Sequence, residues 1–249
     1  MASVDLVVMR SFAVVALAML SCLPACLEME QTIDLKADGS GTQSVRLTMT
    51  ETVMAEVRRA ATMAAADAPD PLAIFDKNVV ENELKEAALT LRSHTTTREG
   101  SRRTVAVEVG FADLAGLQKS PFCGTAAEWE FAKGPKEGTI RATLYPQGRQ
   151  AWTDARAKAE AMKTQPDAVA ADFFKKRQQQ LAGLDVTVRF KLPGKVLIWT
   201  RNLDKTGDQE VVAKITAEQI KTPEDLVRRL APRFEVIFDG TGCSLPLAK

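Results

Sequence analysis

The amino-acid sequence predicts an α+β fold: an antiparallel β-sheet of hairpins packed against helices, with a helical hairpin inserted at 150–181. Three observations carry that expectation. Apolar and polar side chains alternate with a period of two at Leu27–Leu35, Val105–Phe111 and Leu184–Leu192, the pattern of half-buried strands. Clusters of Gly, Pro and Asp separate neighbouring alternating runs closely enough for hairpins. Between them, Val53, Val57, Ala60, Ala61 and Ala64 recur at helical spacing, and the period again turns helical for more than thirty residues after Gln150.

The first 26 residues, MASVDLVVMRSFAVVALAMLSCLPAC, have the layout of an export signal. Arg10 precedes a small and apolar run from Ser11 to Leu20 that is too short to span a bilayer of roughly 20 helical residues. Asp5 is out of place in such a region, and a start at Met9 would give a compact Met-Arg beginning. Met19-Leu20-Ser21-Cys22 and Leu23-Pro24-Ala25-Cys26 both resemble the processing box of bacterial lipoproteins, with a small residue before a cysteine that becomes acylated. The first box has the more ordinary residue at −2. Lipidation of Cys26 instead removes Cys22 with the signal and leaves Cys123 and Cys243, an even pair suited to a disulfide in an oxidising envelope. Cys26 is favoured over Cys22 on that count, with residues 1–25 as signal peptide and 26–249 as one α+β domain. Secretion without lipid is the alternative.

Leu27, Met29, Ile33 and Leu35 face one way and Glu28, Glu30, Thr32 and Asp34 the other, so this stretch is a half-buried strand. Lys36–Gly41 supplies turn residues that tolerate positive φ, and Val45, Leu47 and Met49 continue as the second strand of a hairpin. The turn lacks the acidic ladder of a calcium loop. A helix capped by Thr50 or Thr52 should follow and end at Asp67–Pro71. A second is expected from Pro71 to about Ala88, with Leu72, Phe75, Val79 and Leu84 inward. Strands at Leu89–Thr97 and Thr104–Phe111 flank a turn at Glu99-Gly100-Ser101. His94, the one histidine, lies in the first of these strands and lacks the companions a metal site or catalytic triad needs.

A short helical turn at Asp113–Lys119 leads to the loop that carries Cys123. Glu128–Ala132 and Thr139–Tyr145 then form a hairpin with Trp129 and Phe131 inward, opposite Ile140, Ala142 and Leu144. Gln150–Lys163 and Asp167–Leu181 are two helices broken at Thr164-Gln165-Pro166. Basic residues gather on them, including Arg156, Lys158, Lys175, Lys176 and Arg177, together with Trp152, Phe173 and Phe174. One reading is a helical hairpin packed on the sheet with a solvated outer face. The other is a surface for anionic lipid headgroups or an envelope protein. Leu184–Leu192 returns to the strand period, Pro193-Gly194 turns the chain, and Val196–Thr200 continues extended. Asn202–Asp208 is expected as a polar loop before a strand at Glu210–Ile215. Thr222-Pro223-Glu224-Asp225 opens a short helix, and Phe234, Val236 and Phe238 form a last strand.

Cys26 running into Leu27–Leu35, the Asp38-Gly39-Ser40-Gly41 turn, Val105–Leu117 and Pro193-Gly194-Lys195-Val196 together resemble the LppM-like domain of bacterial lipoproteins. The resemblance covers the order of elements over most of the chain. It implies an α+β envelope lipoprotein, with lipid binding as its expected capacity and no catalytic residue to carry over. The 150–181 helices and the tail after Val211 depart from that pattern.

The 33 Lys+Arg against 32 Asp+Glu create no global field for nucleic acid. An apolar content of 45% is that of a globular chain. The sequence has no Gly-rich phosphate loop, CxxC, HExxH or GxSxG element, and nothing in it calls for a cofactor or metal. Carboxylate pairs such as Glu28/Glu30 and Glu128/Glu130 sit at strand spacing, where solvent exposure explains them. The sequence therefore points to a lipid-anchored, non-catalytic binding or structural module on an envelope membrane, with an envelope hydrolase using carboxylates as the alternative.

Overall fold

Backbone pairing begins with the first alternating run. In the computed structural model, which describes residues 27–64, 70–123, 126–164, 172, 174–175 and 182–248, Leu27–Leu35 (β1) and Gly41–Thr50 (β2) pair antiparallel around the expected turn. Leu27, Ile33 and Leu35 are buried, as are Val45, Leu47 and Met49 opposite them. In the turn, Asp38 Oδ1 accepts from the backbone N–H of Ser40 at 2.9 Å and from its hydroxyl at 2.7 Å. Those bonds hold its carboxyl below the usual carboxylate range. The loop is an Asx turn.

Next come Thr90–Glu99 (β3) and Arg102–Phe111 (β4), joined at Gly100 with φ +57°. β4 pairs with β2, placing Val105 against Leu47 and Val107 against Val45. β3 is an edge strand, mostly exposed and carrying Arg92, Arg98 and Glu99, a composition that discourages edge-to-edge pairing.

The larger sheet is completed by Asp185–Lys191 (β7), Asp204–Gly207 (β9) and Glu210–Thr216 (β10), in the order β3-β4-β2-β1-β7-β10-β9. Two expectations are corrected here. β7 runs parallel to β1, so the sheet is not purely antiparallel; the long excursion between the two strands permits this pairing. The polar stretch 202–208 also contains strand β9, whose role as a sheet edge requires no apolar alternation.

The hairpin Glu128–Lys133 (β5) and Thr139–Tyr145 (β6) belongs to a second, four-stranded sheet with Val196–Trp199 (β8) and Phe234–Asp239 (β11), in the order β5-β6-β11-β8. Phe131 faces Ala142 and Trp129 faces Leu144 in the expected register. Aromatic rings stitch the two sheets together. Trp129 stacks on Phe131 with centroids 5.7 Å apart and meets Phe190 edge-on at 6.1 Å, and Phe190 packs on Phe234 at 5.7 Å. The chain passes from one sheet to the other between β7 and β8. A Cβ on Gly194 would lie 1.7 Å from the Asp239 carbonyl oxygen, so only glycine fits that crossing.

Among the helices, Glu51–Ala64 (α1) lays Val53, Met54, Val57 and Ala61 on the larger sheet, and Thr50 Oγ1 accepts from the Val53 N–H at 3.3 Å. The expected continuous helix 71–88 is divided into a 3₁₀ turn, Ala73–Phe75, and a helix, Lys77–Glu86 (α2). Asp76 divides them because its carboxylate caps the N–H groups of Asn78 and Val79, starting a new helix. The restart buries Val80 and Leu84 and leaves Val79 exposed, correcting the expected inward face. His94 Nε2 donates to the Ile74 carbonyl at 2.9 Å and so fastens that turn to β3. Leu114–Lys119 (α3), Arg149–Thr164 (α4) and Pro223–Leu230 (α5) are further α-helices. Of the second helix expected in the 150–181 hairpin, Asp172, Phe174 and Lys175 are helical; the remainder lies outside the described residues. No helix among the described residues is long and apolar enough to cross a membrane.

Candidate anion-binding groove

Thr222 Oγ1 accepts from the Asp225 N–H at 3.1 Å, while the Asp225 carboxylate accepts from the N–H groups of Thr222 and Lys221 at 3.1 and 3.2 Å. This capping box, with Pro223 in the first turn, starts α5 at a defined position. Its last turn then presents Arg228 and Arg229, and the following Pro232-Arg233 leads into β11. α4 packs against α5 and brings Trp152 and Arg156 to the same place. The result is a groove of about 470 Å³ lined by Trp152, Arg156, Arg228, Arg229 and Arg233, with Glu160 and Asp225 at its acidic points.

A ladder of alternating guanidinium and aromatic groups runs from Arg149 and Tyr145, outside the groove, to Arg233, Trp152 and Arg156 in its lining. Arg149 stands 5.1 Å from the Tyr145 ring centre, Arg233 lies 6.0 Å from Tyr145 and 5.4 Å from Trp152, and Arg156 lies 5.7 Å from Trp152. Tyr145 and Trp152 themselves meet edge to face at 5.7 Å. Ring faces attract the cations, and a guanidinium held in this way can still use its N–H edges for hydrogen bonds, as Arg149 does to Glu130 and Arg233 to Glu235.

The arginines differ in how their charge is balanced. Arg149 bonds Glu130 at 2.5 Å with Glu128 nearby at 4.0 Å, and the Glu130 bond raises its basicity above the ordinary guanidinium value. Arg233 bonds Glu235, and Arg228 lies 3.8 Å from Glu160. Arg229 donates to the Lys214 carbonyl at 3.4 Å. Among the described residues, neither Arg156 nor Arg229 has a carboxylate partner within ion-pair distance, and the Asp225 carboxylate is already occupied by the helix N-terminus. Arg233 Nε is buried without a hydrogen-bond partner among the described residues. A buried donor left in this state is costly unless something accepts from it.

Position matters as much as charge. Ile215, on the groove wall, is paired through Val186 to Met29 near the start of β1. Two strand spacings, about 10 Å, separate those positions across the sheet. The groove thus lies at the end of the larger sheet where β1 begins.

Of the basic residues singled out in the sequence, Arg156 is in the groove. Lys158 is exposed on the same helix but does not line it, and Lys175 is exposed. Lys176 and Arg177 lie outside the described residues, as do both candidate lipidation cysteines, Cys22 and Cys26. Arg228, Arg229 and Arg233 are not among the residues singled out in the sequence, although two adjacent arginines stand in the last turn of a helix with a strong cap. Cys243 is a free thiol in this structure, and the bridge expected with Cys123 is not seen. Burial, and then the neighbouring Asp239 charge, raise the Cys243 pKa and keep the thiol protonated.

Three of the four candidate carboxylates, Glu28, Glu128 and Glu130, are held in ion pairs. Glu28 bonds Arg102 at 2.6 Å, and Glu128 and Glu130 converge on Arg149. Among the described residues, no group of three His, Cys, Asp or Glu side chains lies close enough to hold a metal ion.

Neither the known protein families nor the curated proteins contain a match to this chain. Among solved structures, the NMR structure of the folded domain of Mycobacterium tuberculosis LppM is similar. It has 7% sequence identity and a TM-score of 0.42, covering 87% of this chain and 91% of that one.

Proposed function

We propose that this chain is a membrane-anchored lipoprotein of the bacterial envelope that acts as a non-catalytic binding module, taking anionic phosphate-bearing groups, foremost lipid headgroups, into the groove between α4 and α5. The observation that carries this reading is the clustering of Arg156, Arg228, Arg229 and Arg233 around Trp152, with a buried Arg233 Nε that lacks a partner among the described residues. Guanidinium groups bind phosphate through paired, directional N–H donors, and an indole beside them suits the amphipathic headgroup region. The groove's place near the start of β1 adds to this, because an acyl chain on Cys26 would hold that end of the sheet at the membrane.

The test is a titration of the detergent-solubilised full chain with inorganic phosphate and, separately, with a short-chain phosphatidylglycerol. Charge-assisted hydrogen bonds of about 1.5–3 kcal/mol each predict at least a tenfold affinity loss in Arg228→Gln/Arg229→Gln. Tighter binding of the lipid than of phosphate identifies a headgroup site; equal binding identifies a site for free phosphate. Binding of neither, or binding untouched by the double substitution, overturns the groove assignment. Intact-mass analysis of the membrane-extracted chain tests the anchor: a diacylated N-terminal Cys26 or Cys22 supports it, and an unmodified N-terminus overturns it.

A further inference from the structure

Three consecutive large apolar side chains, Leu197, Ile198 and Trp199, are 43%, 54% and 40% exposed. Among the described residues, only Met63 and Val79 are other large apolar side chains so exposed, and each is isolated. A regular strand would turn alternate side chains inward. β8 escapes this rule because its register against β11 shifts between Ile198, opposite Ile237, and Val196, opposite Phe238, leaving Leu197 as a bulged residue. β8 is also the outer strand of its sheet, so no further strand covers it.

From these observations we propose that the Leu197-Ile198-Trp199 strip is a membrane-docking edge that inserts into the interfacial layer of an anionic bilayer. It rests on the membrane-anchored reading above but uses different residues from the groove. Exposed Lys195 and Arg201 bracket the strip, and Lys205 stands 6.0 Å over the Trp199 ring. Asp204 is exposed in β9, and Asp208 pairs with Lys205 at 3.9 Å. Cations flanking a short apolar run with a terminal tryptophan match the headgroup-to-acyl boundary, where an indole and basic side chains are both favoured.

Addition of a second β-strand fits this edge poorly. The Val196 N–H already donates to the Asp208 carbonyl at 2.7 Å, and the Val196 carbonyl accepts from Lys205 Nζ at 3.1 Å. The strand is four residues long and bulged. What the edge offers is side-chain surface. That surface continues toward the groove, because Thr200 N–H bonds the Glu235 carbonyl and Asn202, on the groove wall, donates to the Arg233 carbonyl. The Trp199 end of the strip is therefore the end near the arginine groove.

The experiment uses the full chain reconstituted in phosphatidylcholine vesicles with and without phosphatidylglycerol, and reads tryptophan quenching by lipids brominated high on the acyl chain. Quenching that is stronger in the anionic vesicles and is lost in both Trp199→Phe and Leu197→Gln/Ile198→Gln is the expected result. The second variant retains Trp199 and changes only exposed side chains, and its circular dichroism should match the parent. Quenching unchanged by either variant overturns the proposal. So does concentration-dependent self-association abolished by Leu197→Gln/Ile198→Gln, which assigns the strip to a second copy of the chain. If Arg228→Gln/Arg229→Gln loses phosphate binding while strip quenching persists, the two sites are separate. If strip quenching is absent while phosphate binding is intact, docking fails and the groove stands.

Discussion

At the scale of single residues, the groove and the strip both depend on side chains placed against their usual habits. Arg233 has its Nε buried beside two aromatic rings, and Leu197, Ile198 and Trp199 face solvent. Glu83 on α2 is a third case. Burial, followed by the neighbouring Glu86 charge, raises its pKa from 4.5 to about 7. The folded chain therefore binds a proton more readily there than the unfolded chain does. This group costs no stability below pH 4.5; its cost grows as pH rises toward 7 and is complete above that. Because Glu83 keeps partial contact with water, Glu83→Gln should stabilise the chain by only about 1 kcal/mol at pH 8 and not at pH 4. Thermal melts of the two proteins at both pH values measure the difference.

Elements are positioned by their ends. Asp76 splits an expected helix in two, Asp113 caps α3 through the Gly116 N–H at 2.7 Å, and Thr222 with Asp225 starts α5. The last of these caps matters for the proposed groove because α5 has only eight residues, and its final turn bears Arg228 and Arg229. Thr222→Ala removes the bond to the Asp225 N–H and should cost about 1 kcal/mol of stability. Phosphate affinity should fall with it, by less than in the double arginine variant, since the guanidinium groups remain but are held less firmly. A melting curve and a phosphate titration on the same preparation separate the two effects.

For the whole molecule, the decisive feature is the passage from one sheet to the other. The carbonyl of Asp239 occupies the space where a Gly194 side chain would begin, and Asp239 N–H in turn bonds the Lys195 carbonyl. Gly194→Ala must push β8 away from β11, disturbing the aromatic seam of Trp129, Phe190 and Phe234 as well as the exposed strip. A loss of about 3 kcal/mol is expected, measured as a lower urea midpoint. Cys243, near this junction, is a free thiol and supplies no staple to it.

The sequence alone determined what depends on near neighbours in the chain. The β1–β2 hairpin, the β5–β6 register, the Gly100 turn and the α5 cap are all set within a few residues, where period, turn chemistry and capping act directly. Only the tertiary structure decided which strands meet across long separations. The parallel pairing of β1 with β7, the division into two sheets and the edge position of β8 depend on burying the apolar faces of several elements at once. The same holds for the groove. Arg156 on α4 and Arg228, Arg229 and Arg233 around α5 are unremarkable surface arginines in the one-dimensional pattern, and they come to line one groove because α4 packs on α5 beside Trp152. Local rules place a charge on a helix; only packing determines which charges share a hollow.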